Sequence, residues 1–107
     1  MVDVAALTAG MPLVVDRPLI RIWREGDFGY TQLRQDIDDE RSHAWRGAVD
    51  AHTAEFGHMR FSVLDVHGVV ATNSIAVRFQ SAQWARRALL QMDQAAIFTG
   101  ANHKSSF

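Results

Sequence analysis

The chain contains no cysteine, which excludes disulfides, thiolate-held metals and a cysteine nucleophile. It has only two prolines; Pro12, together with Gly10, breaks whatever helix Ala5 and Leu7 begin. No apolar run approaches the roughly 20 residues of a membrane helix. The first fourteen residues hold Asp3 and no basic segment, so no signal peptide is expected and the expected location is the cytoplasm. A formal charge of −1 supplies no overall field to gather nucleic acid or an anionic membrane. No Gly-x-Ser-x-Gly elbow occurs, and Gly68 stands alone rather than in a phosphate-binding loop. What remains is a chain of 107 residues, 48% apolar and 21% charged. That is enough for one domain with a single modest core.

Residues 1–16 lack a clear period and read as an N-terminal arm or an extra edge element. Leu19 to Arg24 and Phe28 to Leu33 are β-rich runs around the turn Glu25-Gly26-Asp27, which predicts a hairpin. Alternation puts Ile20 and Ile22 on one face, assigned to the helix-covered core, and Leu19, Arg21 and Trp23 on the other. The acidic run Asp36-Ile37-Asp38-Asp39-Glu40 then opens a helix reaching about Phe56, because carboxylates suit a helix N-terminus. Its apolar stripe is Ile37, Ala44, Ala48, Val49, His52 and Phe56, bordered by Trp45. Gly57 supplies the stop.

Residues 61–100 carry the most architectural information. A strand from His58 to Val66 bears Asp65 near its end, a short loop breaks at Gly68, a helix starts near Thr72 or Asn73, and Ala95 to Phe98 is apolar again. A parallel pair cannot be closed by a tight turn and needs this strand-helix-strand order. Ile75, Phe79, Ala82 and Leu89 are expected to face the sheet, above Val63 and Ile97. Gly100-Ala101-Asn102 ends the last strand. The fold class is therefore α/β, a small mixed sheet of four to five strands in the order β-β-α-β-α-β, with helices packed mainly on one face.

The sequence resembles STAS domains, the fold of bacterial anti-sigma-factor antagonists, and particularly their SpoIIAA-like relatives. The resemblance rests on Leu64-Asp65-Val66-His67-Gly68-Val69 followed by Asn73-Ser74-Ile75-Ala76, similar to the family's Leu-Asp-Leu-Ser-Gly-Val and Asp-Ser-Ser-Gly segments. Trp84-Ala85-Arg86-Arg87 and Ala95-Ala96-Ile97-Phe98-Thr99-Gly100-Ala101 extend it, so that it covers roughly residues 17 to 102 of a domain assigned to 17–107. Two positions depart from the pattern: Ile75 stands at the customary phosphoacceptor serine, and Asn73 replaces the aspartate. The resemblance also implies a C-terminal helix after the last strand, which the domain assigned to 17–107 is expected to lack.

The resemblance implies a non-enzymatic regulatory or protein-interaction module of bacterial signalling. The candidate phosphoacceptor or loop site is Ser74, Asp65 and Asn73. Against that, Thr72, Asn73 and Ser74 can simply cap a helix, and Asp65 can bond the amides of its own loop. Glu40 and His43 form one Glu-x-x-His, half of a bridged metal site, while His52, His58, His67 and His103 show no ligand spacing. No metal or cofactor is expected. Trp23 and Trp84 are candidate interface residues, since an exposed tryptophan favours contact with a partner, though each equally suits a core edge, as does Trp45. Arg78, Arg86 and Arg87 suit an acidic partner or phosphate, or form a solvated face. With one sheet face under-covered, the expected partner is a protein, a second copy of the chain included, in a homodimer or larger oligomer. Nucleic acid and stable membrane insertion are not expected. The alternative is a small-molecule or lipid carrier, as SpoIIAA-like relatives suggest.

Overall fold

Two residues, Gly26 and Asp27, join strands β2 (Ile20–Glu25) and β3 (Phe28–Leu33) into the expected hairpin. Gly26 has φ of 58°, the positive value that a tight hairpin connection demands at its first position. The computed structural model describes residues 4–99, so the break expected at 100–102 and His103 lie outside the described residues. Ahead of the hairpin come a helical turn, α1 (Val4–Leu7), and a short strand, β1 (Leu13–Asp16). After it follow α2 (Asp39–Phe56), β4 (Phe61–Val66), α3 (Ile75–Leu89) and β5 (Gln94–Thr99). The arm expected over residues 1–16 thus holds an edge strand, antiparallel to β2.

The strands form one five-stranded mixed sheet in the order β1-β2-β3-β4-β5. β1, β2 and β3 are antiparallel neighbours; β3, β4 and β5 run parallel. Each parallel step moves the same way along the sheet, and crossovers of one hand taken in one direction leave both helices on the same face. Register assigns that face to Ile20, Ile22, Leu33 and Thr31 of the hairpin and to Ser62, Leu64 and Val66 of β4. Its core joins Ile20 and Ile22, 1% and 0% exposed, to Leu33, Ile37, Ala48 and Val69. The assignment of the isoleucines to the helix-covered side holds. Gly29 lies on this face too, where a Cβ would strike the side chain of buried Met59.

The opposite face carries Trp23, Tyr30, Val63 and Asp65. Tyr30 is fully buried there, with the Trp23 ring edge-on at 5.9 Å.

α2 turns largely as expected, and α3 does not. In α2, Ala48 and His52 are buried, Val49 is half-buried and Ser42 joins them, whereas Ala44 is exposed and Phe56 is 43% exposed. In α3 the correction is larger. Ile75 is 85% exposed and Phe79 64%, and the inward stripe is Val77, Ser81, Trp84, Ala85 and Ala88. Val63 lies on the sheet face away from the helices, and Ile97, although on the helix side, is 52% exposed. Small residues on the inner side of α3 allow close approach to the sheet, and the bulky stripe is turned outward. Boundaries also tighten: α2 begins at Asp39, β4 at Phe61 and α3 at Ile75.

Candidate functional site

Asp65, next to last in β4, lies inside the protein, 3% exposed, with both carboxylate oxygens engaged. Oδ2 accepts from the Tyr30 hydroxyl at 2.7 Å and Oδ1 from the backbone N–H of His67 at 2.8 Å. Burial, then the hydrogen bond and charge of Asp65, hold the Tyr30 phenol well above its ordinary pKa of 10. A donor that keeps its proton and an amide two residues on are what a buried carboxylate requires. Asp65 therefore anchors the turn in which Gly68 takes a positive φ.

Beyond that turn, two loops are bound together at the carboxyl ends of β3 and β4. Ile37 and Ala71 form a parallel bridge, with Ile37 N–H to Val70 O and Thr72 N–H to Ile37 O, each 2.9 Å. Asp36 Oδ1 accepts from Val70 N–H at 3.0 Å. The same contact joins the N-termini of α2 and α3. Asp38 caps α2 by accepting from Arg41 N–H at 2.8 Å. Ser74 caps α3, its Oγ accepting from Val77 N–H at 3.3 Å. Asp39 then reaches across, accepting the Ser74 N–H at 2.8 Å, while Asn73 Nδ2 donates to the buried Ser42 hydroxyl at 2.8 Å. The Ser74 amide, first among these causes, holds the Asp39 carboxyl below its usual range.

Asp65 near the end of β4 and Asn73 and Ser74 ahead of α3 thus bracket one loop, and their bonds go to the Tyr30 hydroxyl, to backbone amides and to the start of α2. A phosphate on Ser74 would face the Asp39 carboxylate, already seated at the amides that would receive it. Asp36, Asp39 and Ser42 were not among the candidates. Their partners lie more than thirty residues away, and the only local signal was the acidic run itself. No cluster of three or more histidine, aspartate or glutamate residues able to hold a metal occurs among the described residues; His43 sits 2.8 Å from Arg46 through Nδ1.

The interface candidates fall on different surfaces. Trp84 packs edge-on against Trp45 at 5.2 Å and donates its indole N–H to Asp50 at 2.8 Å, joining α3 to α2. Trp23 is half-buried on the face away from the helices. Arg86 and Arg87 are exposed, and their guanidinium groups meet no carboxylate among the described residues. Between helices and sheet, a cavity of about 100 Å³ is lined by Trp45, Leu64, Trp84, Ala88 and Ile97, among others. Small-molecule sites typically occupy roughly 300–1,000 Å³.

The chain matches no protein-family model, no curated protein and no solved structure. Among the described residues, no helix is long and apolar enough to cross a membrane.

Proposed function

We propose that this chain is a non-enzymatic interaction module, of the regulatory STAS-like kind its sequence resembles, that self-associates through the outer edge of β5. The contrast between the two sheet edges carries the reading. β1 has four residues, an irregular register between Leu13 and Val15, and Pro12 and Pro18 on its flanks. Those are devices by which proteins close an edge to further pairing. β5 has six residues, Gln94 to Thr99, with no charge, proline or glycine among them. Among the described residues no strand pairs with its outer side, and an open, uncharged edge of that length is a template for another strand. Antiparallel pairing with a second copy would be isologous and would continue the sheet across the seam. Exposed Leu89 and Ile97, which line the same cavity, flank that seam. The alternative, a lipid or small-molecule carrier, requires the cavity under Trp84 to widen several-fold.

Sedimentation velocity over a concentration series tests the proposal. Wild type should reach a dimer at tens of micromolar. Ala96→Lys, which sets a charge on an exposed position of the edge, should remain monomeric with an unchanged melting curve. A wild type that stays monomeric throughout overturns it.

A further inference from the structure

Among the described residues, the three most exposed large apolar side chains belong to one helix and its cap: Ile75 at 85%, Leu90 at 77% and Phe79 at 64%. Along the fifteen residues of α3 stand Arg78, Arg86 and Arg87 and no carboxylate. None of these guanidinium groups is paired among the described residues. A molecule of net charge −1 therefore carries one locally cationic ridge. From this ridge we infer that α3 docks on an anionic lipid surface, lying in the interface with Ile75, Phe79 and Leu90 entering the headgroup boundary.

Charge and shape select this occupant. An interfacial helix needs an apolar strip, basic residues beside it and low overall hydrophobicity, and basic side chains are drawn to anionic leaflets. The outward side of α3 is a convex ridge, the half-buried indole of Trp84 being turned aside to α2, where it donates to Asp50. A plane accepts a convex ridge without a matching groove. The nearest carboxylate at the N-terminal end, Asp39, is bound to the Ser74 amide. At the other end, Asp93 is tied to Arg60, with Nε donating at 2.9 Å. The last two turns, with Arg86, Arg87 and the exposed Leu90, are thus the most strongly cationic part of the ridge. The inference does not depend on the β5 edge, since a monomer presents the same ridge.

Flotation of the full chain with vesicles tests it. One vesicle is phosphatidylcholine alone; the other is phosphatidylcholine and phosphatidylglycerol in equal parts. Wild type should float with the anionic vesicle, less so at high salt, and stay behind with the neutral one. Arg86→Gln with Arg87→Gln should lose at least tenfold in partitioning, and so should Phe79→Ser with Leu90→Ser. All four positions are exposed, so melting should be unchanged, and sedimentation should still report the oligomer of wild type. Absence of flotation with the anionic vesicle overturns the inference, as does flotation that survives both pairs of substitutions. An acidic protein as the true occupant would give the first of these results.

Discussion

The helices α2 and α3 lie on the same sheet face and differ in what they hide. α2 buries a hydroxyl and an imidazole, Ser42 and His52, while α3 leaves an isoleucine and a phenylalanine in solvent. Position in the sheet accounts for this. α2 connects β3 to β4, with strands on either side, and its inner residues meet the hairpin isoleucines. α3 connects β4 to the edge strand β5, so one of its flanks has no neighbour. A helix over an edge buries a narrow stripe, here Val77, Ser81, Trp84, Ala85 and Ala88, and the remainder of its apolar surface is left for something else. Apolarity along a helix therefore reports what is available to be buried, and topology decides what is.

The sharpest way to break this comparison is within α3. Val77→Ala, at a position 7% exposed, should destabilise by about 1.5–3 kcal/mol through lost methyl groups and the space they leave. Phe79→Ala, two residues away, should stay within about 0.5 kcal/mol, as exposed substitutions do. Denaturant melts giving the reverse order would put the helix the other way round.

The second test addresses α2 through pH. His52 is 2% exposed, neither ring nitrogen has a hydrogen-bond partner, and the ring packs on Phe56 at 5.2 Å. Burial, then the charge of Arg24, lowers its pKa below the ordinary 6.5, with Glu55 opposing weakly. The folded form thus holds His52 neutral while the unfolded chain takes up a proton. This stability is complete above about pH 6.5 and is lost as pH falls toward the folded pKa, at a limiting slope of about 1.4 kcal/mol per pH unit. His52→Phe should flatten that acid limb in urea melts followed from neutral to mildly acidic pH; an unaltered limb would assign it to another group.

The smallest effect belongs to the cap. Ser74→Ala removes the acceptor for Val77 N–H and should cost about 0.5–1 kcal/mol, whereas Ser74→Asp should fall below wild type because its carboxylate meets that of Asp39. Equal melting of Ser74→Asp and wild type would show that Asp39 does not occupy this helix end in solution.

The hairpin was legible in the residues because period-two alternation of Ile20 and Ile22 is local and its Gly-Asp turn is short. The parallel portion was legible because strand-helix-strand order leaves few ways to connect. The orientation of α3 was not. Two stripes compete along that helix, and the bulkier one, Ile75-Phe79-Ala82-Leu89, has the stronger pattern, while a sheet edge selects the stripe whose alanines permit close approach. The loop around Asp65 was legible as a structural anchor, since a short acceptor at a strand end has its own turn to bond. The Asp39–Ser74 and Asn73–Ser42 contacts were not, because nothing local relates residues thirty positions apart.

The bridged loops also set an order of opening. Thr72 and Ser74 lie in a surface loop, yet their amides are closed off by Ile37 O and Asp39 Oδ1. These protons can exchange with solvent only when two helix ends separate together, so they should outlast the amides of Gln91 and Met92, which answer to the last turn of α3 alone. The paired loops clamp this end of the two helices, and slow deuterium uptake in the 72–74 loop would be the record of that clamp.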